Sequence, residues 1–120
     1  MTNISLGKKG ENWAEEFLKK HGYKIIEKNF YTPFGQIDII ALDNNILCFI
    51  EVKTRRSVYF GFPEEAVSFT KQRKIIKVAS LYLKEKRILD TKVRFDVISI
   101  VCRDDDYRIK LIRNAFGWDS

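Results

Sequence analysis

The sequence predicts an α/β domain in which a mixed β-sheet is flanked by helices, in the order α-β-β-β-α-β-β. Two observations favour this fold class. Two segments repeat apolar residues at helical spacing, and five short segments are either apolar throughout or alternate between apolar and polar residues. The length of 120 residues and the hydrophobic content of 45% suffice for one core. We therefore expect a single domain over residues 1–120.

Two amphipathic segments are predicted to be the helices. Residues 8–21 place Ala14 and Leu18 within one apolar stripe. Residues 70–86 form the stronger helical pattern, and Thr70 is the expected N-cap because its hydroxyl can accept a hydrogen bond from a free backbone amide. Both helices therefore have an apolar face that must pack on the sheet.

Five segments are predicted to be strands. A turn at Asn44-Asn45 joins the second and third strands as a hairpin. The third strand is apolar on both faces and should be central, whereas the last alternates as an exposed edge strand does. Residues 56–69 are expected to be a loop. The predicted strands cover residues 23–30, 36–43, 46–55, 92–103 and 107–116.

Composition limits the class of partner. The formal net charge of +6 favours a polyanionic partner such as nucleic acid, although a basic protein without such a partner fits equally well. The first residues lack the apolar segment of a signal peptide, and the longest apolar run, ILCFI, is too short to span a bilayer. Cys48 and Cys102 lie in apolar strands, as buried thiols of a reducing compartment would. We expect a cytoplasmic protein without a membrane partner.

Three charged residues interrupt the apolar stretch at 35–56. They are Asp38, Glu51 and Lys53, and a buried unpaired charge is costly. Glu51 and Lys53 point to the same face because side chains alternate along a strand, and the hairpin brings Asp38 close to Glu51. Two adjacent carboxylates repel each other unless a cation lies between them, and Mg²⁺ prefers such oxygen ligands. The pattern therefore predicts a metal site in which Lys53 orients water or neutralises phosphate charge.

A purely structural interpretation of these charges stays open. In it, Lys53 pairs with Glu51 on one strand and Asp38 caps a turn, since the spacing D-x(12)-E-x-K is short and degenerate. Glu11, at the edge of the first helix's apolar stripe, and Gln72, inside the second helix's stripe, agree with a polar site. Each of these two residues fits equally well as a boundary residue near a helix end.

Basic residues concentrate in two places. Residues 71–87 contain seven lysines or arginines and one acid. The second concentration is Arg55 and Arg56, in the segment TRR that follows Lys53. Contacts between such side chains and phosphates give salt-dependent affinity that is independent of base sequence. A solvated helix face is the alternative. The residues predicted to contact DNA or RNA are Arg55, Arg56, Lys71, Arg73, Lys74 and Lys77.

Six segments together carry a resemblance to a known family. They cover nearly the whole chain in one order: GxxGExxAxxxLxxxGY at 7–23, NFxxxxGxIDxI at 29–40, FIEVKTRRS at 49–57, FGxPxEAV at 60–67, KQRK at 71–74 and RFDVISI at 94–100. In these segments the chain resembles the YraN family, also called UPF0102. That family is in turn similar to the PD-(D/E)XK nuclease superfamily and, within it, to archaeal Holliday junction resolvases.

The resemblance implies a fold, a reaction and a set of site residues. The fold would be restriction-endonuclease-like, and the reaction would be Mg²⁺- or Mn²⁺-dependent hydrolysis of DNA, with branched or repair intermediates among the substrates. A homodimer is also implied, since two-fold symmetry suits a junction. Transferred to matching positions, the metal ligands would be Glu11, Asp38, Glu51 and the carbonyl of Val52, and the catalytic residues would be Asp38, Glu51, Lys53 and the supporting Gln72.

One position departs from the family pattern. The family usually has Gly-Glu-Ile-Asp where this chain has Gly35-Gln36-Ile37-Asp38. A neutral amide on the strand face of Asp38 lowers the negative charge near a metal. If the usual glutamate helps to bind the metal, affinity for the metal would fall here or activity would be lost. We expect a metal-dependent nuclease, and Gln36 favours the alternative, a non-catalytic nucleic-acid-binding module. A third interpretation is an adaptor that binds protein through the edge strand at 107–116.

Overall fold

The computed structural model describes residues 4–57, 67–104 and 106–119 as a five-stranded sheet with two helices. The order α-β-β-β-α-β-β and the mixed sheet are confirmed. The predicted loop at 56–69 lies mostly outside the described residues. The elements are α1 (Leu6–Lys20), β1 (Lys24–Thr32), β2 (Gly35–Asp43), β3 (Ile46–Arg56), α2 (Phe69–Glu85), β4 (Lys92–Arg103) and β5 (Asp106–Phe116).

The strands lie in the order β1-β2-β3-β4-β5. β3 is central and pairs parallel with β4, while the other neighbours are antiparallel. The predicted hairpin between β2 and β3 is confirmed, because Asp43 pairs with Ile46 across the Asn44-Asn45 turn. β5 is an edge strand, as its alternating pattern predicted.

Apolar side chains form a cluster on each face of the sheet. Along β3, Leu47 and Phe49 belong to the cluster that includes residues of α2. Cys48 and Ile50 belong to the cluster under α1, which explains why β3 is apolar on both faces. Cys48 and Cys102 are buried free thiols, and burial raises the pKa of Cys48 to about 12. This thiol is therefore unreactive at neutral pH.

A close approach of backbone to side chain fixes the position of α1. Gly10 is buried, and a Cβ at this residue would collide with the side chain of Thr54 on β3. Only glycine therefore lets α1 pack so near the end of β3. This contact places Glu11, the next residue of α1, close to the strand that carries Glu51.

α2 begins earlier than the sequence predicted. Its N-cap is Ser68, whose side chain accepts a hydrogen bond from the amide of Lys71 at 3.2 Å. The predicted cap, Thr70, is wrong because it lies within the first turn, where its own backbone is already helical. Across the three described ranges, no helix is long and apolar enough to cross a bilayer.

Candidate active site

Two acidic side chains meet where β2 and β3 extend beyond their paired residues. Asp38 and Glu51 are the next residues after the pair Ile39–Ile50. Asp38 is 5% exposed, and the side chain of Glu51 is 11% exposed. The hairpin register therefore brings these two carboxylates together, with little water to separate their charges.

Hydrogen bonds hold the carboxylate of Asp38 in place. The backbone amide of Val52 donates to Oδ2 at 2.8 Å, and the side-chain amide of Gln36 donates to Oδ1 at 2.9 Å. Each carboxylate oxygen still has a second lone pair. Asp38 is therefore oriented by its neighbours and can accept further bonds.

Glu51 has a strongly perturbed acidity. The pKa of Glu51 is raised to about 8, and burial is the largest cause. The hydrogen bond with Asp38 and the charge of Asp38 raise it further, whereas the charges of Lys71 and Lys53 lower it. Glu51 consequently holds a proton through most of the neutral range. A cation close to Glu51 would favour loss of that proton.

The nearest described cation to Glu51 comes from α2. The Nζ atom of Lys71 lies 3.6 Å from Oε2 of Glu51, and the side chain of Lys71 is 46% exposed. The sequence suggested Lys71 only as a phosphate contact. Lys53 is half-buried, two residues beyond Glu51 on the same strand, and its charge lowers the pKa of Glu51. Two lysines therefore oppose the effect of Asp38.

The other two predicted site residues differ in their surroundings. Oε1 of Glu11 is buried and has no hydrogen-bond partner within the described ranges. Such an atom is costly unless a ligand or ion satisfies it. The side-chain amide of Gln72, in contrast, donates to the carbonyl of Val67 at 2.8 Å. Its polar group is therefore engaged at the start of α2.

The donor chemistry of the acid pair fits a hard divalent cation. Carboxylate oxygens are the ligands that Mg²⁺ and Mn²⁺ prefer, and Mg²⁺ commonly uses one or two carboxylates while keeping several waters. Among the described residues, no group of three or more His, Cys, Asp or Glu side chains is placed to hold a metal. The residues that fit a metal are therefore Asp38 and Glu51. Glu11 does not join them to form a cluster of three carboxylates among the described residues.

The remaining predicted DNA-binding residues lie on two surfaces. Arg73, Lys74 and Lys77 are exposed on α2. Arg55 is half-buried near the end of β3, and Arg56 lines a cavity of about 420 Å³. The structure thus separates this set into a helix surface, a strand end and Lys71 at the acid pair.

A second buried acid lies on β4 and has a complete set of partners. Asp96 is 0% exposed and accepts two bonds from Arg94, at 2.8 and 2.9 Å. The hydroxyl of Tyr23 and the amide of Asn114 also donate to it, at 3.2 and 2.9 Å. Arg94 further donates to Asp43 at 2.9 Å. Arg94 and Asp96 therefore form a structural ion pair, as side-chain alternation predicts for residues two apart on one strand.

A family model described as the uncharacterised protein family UPF0102 matches residues 10–100. The chain belongs to this family. The match includes Glu11, Asp38, Glu51 and Lys53, and it confirms the resemblance seen in the sequence segments.

Relatives from three bacteria are similar to this chain over most of their length. A UPF0102 protein of Thermodesulfovibrio yellowstonii is 51% identical over 116 residues, which cover 97% of this chain and 99% of the relative. One from Caldicellulosiruptor saccharolyticus is 43% identical over 118 residues, covering 97% and 100%. One from Dictyoglomus turgidum is 48% identical over 101 residues, covering 84% and 86%.

Proposed function

We propose that this UPF0102 protein is a metal-dependent nuclease that hydrolyses phosphodiester bonds in DNA, with branched or repair intermediates among its substrates. The observation that carries the proposal is the acid pair: Glu51 has a pKa of about 8 beside buried Asp38, with Lys71 at 3.6 Å. Acids held together at such a cost are typical of functional sites. Basic residues on both flanks suit a phosphate substrate.

In the proposed site, the acids hold the cation. Asp38 and Glu51 would bind Mg²⁺ or Mn²⁺, with Glu51 releasing its proton. Glu11 and the carbonyl of Val52 are further candidate ligands from the family resemblance, and the unpartnered Oε1 of Glu11 supports the former. When bound, such a cation supplies positive charge for the phosphate and acidity for a water molecule.

The other polar groups position the acids and the substrate. The amides of Gln36 and Val52 fix the carboxylate of Asp38 in one orientation. Lys53 places a positive charge near Glu51, where it would neutralise phosphate charge or orient the attacking water. Lys71 can leave Glu51 for an incoming phosphate because its side chain is half-exposed.

The test compares cleavage by the parent protein and Glu51→Gln with Mg²⁺ or Mn²⁺. We expect the parent to cleave at least one of duplex, single-stranded, forked or four-way DNA, and the variant to be at least about a hundredfold slower. The matched control is Glu16→Gln on an exposed residue of α1, which should cleave like the parent. Thermal melting of all three proteins verifies folding. Equal cleavage by Glu51→Gln and the parent would refute the assignment.

A second candidate is a non-catalytic DNA-binding module on the same fold. The bond from Gln36 to Oδ1 of Asp38 favours it, because a neutral donor occupies a face where the family usually has an acid. This candidate predicts DNA binding that weakens with salt and ignores Mg²⁺. The discriminating variant is Gln36→Glu. Metal-dependent cleavage gained only in this variant would identify the parent as a binding module.

We also propose a cytoplasmic location and a homodimer. Two buried free thiols, Cys48 and Cys102, support a reducing compartment. The dimer rests on the family resemblance and on the two-fold symmetry of DNA junctions. Light scattering on the purified protein, with and without junction DNA, measures the oligomeric state.

A further inference from the structure

An open groove of about 620 Å³ lies over α2. Three chain segments that are distant in sequence contribute to it: the β1–β2 turn, the first half of α2 and the residues after β5. Among the described residues that line it, none is acidic. Its aromatic and basic lining residues are Phe34, Phe69, Trp118, Arg73, Lys74 and Lys77.

The groove combines exposed aromatic rings with cations. Phe34, Phe69 and Trp118 are 48%, 61% and 45% exposed, so each offers a large part of its ring to a ligand. Lys77 lies 3.8 Å from the ring centre of Phe34, as measured from Nζ. The guanidinium of Arg73 lies 5.6 Å from the ring centre of Phe69. Each of these cations therefore has an aromatic neighbour.

This combination matches the chemistry of unpaired nucleotides. Bases that are free of a complementary strand stack on aromatic side chains, while the sugar-phosphate backbone follows positive charge. Bases inside a duplex are already stacked and paired, so they cannot use the rings. An acidic protein segment would use the lysines and the arginine but would give three exposed rings no stacking partner.

The groove and the acid pair both involve the first two turns of α2. Lys71 points to Glu51, while Arg73 and Lys74, two and three residues later, line the groove. Lys71 and Lys74 are one helical turn apart and are neighbours on the helix surface. A strand with one phosphate at Lys71 would therefore place its next phosphates near Lys74 and the groove.

We propose that this groove binds single-stranded DNA. Resting on the proposed nuclease function, we infer that the substrate class is DNA with an unpaired arm next to the bond that is cut. The bases of that arm stack on Phe34, Phe69 and Trp118, and its phosphates contact Arg73, Lys74 and Lys77.

Tryptophan fluorescence gives a direct test, because the chain has two tryptophans. Trp118 lines the groove, whereas Trp13 stacks on Tyr107 with ring centres 4.1 Å apart. Each single-tryptophan variant is titrated with oligothymidine in the presence of a chelator, because removal of divalent metal prevents cleavage. We expect quenching in Trp13→Phe, which keeps Trp118, and none in Trp118→Phe. DNA binding without quenching of Trp118 would overturn the proposal.

Affinity measurements test the other rings. Phe34→Ala and Phe69→Ala should each weaken oligothymidine binding about tenfold, because each removes a stacking surface. The matched control is Tyr31→Ala, which removes an exposed aromatic residue outside the groove lining and should bind like the parent. Lys77→Ala should reduce the slope of log K against log salt by about 1. Unchanged affinity in both phenylalanine variants would overturn the proposal.

The same titrations separate this proposal from the nuclease proposal. Polyglutamate that bound the parent as tightly as oligothymidine, with the same losses in the variants, would replace DNA by an acidic protein. If the parent cleaves DNA but Trp118 is not quenched, the proposal that the groove binds single-stranded DNA is refuted and the nuclease proposal stands. If Trp118 is quenched but the parent cleaves no DNA, the groove binds single-stranded DNA, and the assignment of DNA with an unpaired arm as a nuclease substrate is refuted.

Discussion

Two buried groups of acids lie within the described residues, and they are built in opposite ways. Asp96 accepts hydrogen bonds from Arg94, Tyr23 and the amide of Asn114. Around Glu51, the first neighbour is another acid, Asp38, and the nearest cation is a half-exposed lysine at 3.6 Å. We refer to these as the closed network and the open pair.

The difference teaches how to separate structural from functional charge in a small sheet. In the closed network, the hydrogen bond to Asp96 raises the pKa of Arg94, so the fold favours the charge of Arg94. In the open pair, the pKa of Glu51 is raised, so its charge is disfavoured by the fold. An acid that the fold satisfies needs no ligand, whereas an acid that the fold disfavours is suited to binding a cation.

The largest expected effect is loss of stability when the closed network is broken. Arg94→Met should lower the free energy of unfolding by about 3–5 kcal/mol, because Asp96 would remain buried without its cation. Urea denaturation at neutral pH measures the change. The double variant Arg94→Met with Asp96→Leu should recover much of the loss. A single variant as stable as the parent would mean that the two groups do not differ.

The open pair should make stability depend on pH. Glu51 has an ordinary pKa of 4.5 when unfolded and about 8 when folded, so the folded state binds its proton more tightly. This contribution to stability is complete below about pH 4.5 and is lost as the pH rises through 8. We expect the parent to lose a few kcal/mol over this range relative to Glu51→Gln. Parallel pH dependences of the two proteins, measured by urea denaturation, would contradict a raised pKa.

Divalent metal should stabilise the parent through the open pair. At pH 8, Mg²⁺ or Mn²⁺ at a hundred times its dissociation constant should add about 2.7 kcal/mol to the free energy of unfolding. Glu51→Gln should show no such gain, and Arg94→Met should keep it because its acid pair is intact. Thermal melting with and without metal provides the measurement. Equal stabilisation of the parent and Glu51→Gln would place the metal elsewhere.

The smallest expected effect comes from removing the cation of the open pair. Lys71→Met should change the free energy of unfolding by less than about 1 kcal/mol, because its side chain is 46% exposed and its ion pair is screened. The pKa of Glu51 should rise further, since Lys71 lowers it. Carboxyl titration by NMR detects that rise. A loss as large as that of Arg94→Met would erase the distinction between the two groups.

The fold was predictable because its elements follow simple periodicities. β4 matches its predicted bounds, and the turn at Asn44-Asn45 fixed the β2–β3 register that joins Asp38 to Glu51. The start of α2 was mispredicted because Ser68 and Thr70 are both residue types that cap helices, and the exposed Phe69 between them does not extend the buried stripe of the helix. The hydroxyl of Ser68, rather than hydrophobic periodicity, decides where that helix begins.

The candidate site was predictable only within its hairpin. Asp38 and Glu51 are linked by strand register, which sequence spacing determines. The contact between Lys71 and Glu51 depends on how α2 docks on the sheet, and no spacing in the chain encodes that distance. The groove was missed for a related reason: Phe34, Phe69 and Trp118 are exposed aromatic residues in separate segments, and only the tertiary structure brings them together.

The parallel pairing of β3 with β4 has a consequence for the order of folding. β2 and β3 are joined by a two-residue turn, so the carboxylates of Asp38 and Glu51 meet through a short loop closure. β4 can pair only after the chain has crossed over through α2. We therefore expect the two acids to come together before the helix that carries Lys71 docks on the sheet. A divalent ion in the folding medium should accordingly speed refolding of the parent, and this acceleration should disappear in Glu51→Gln.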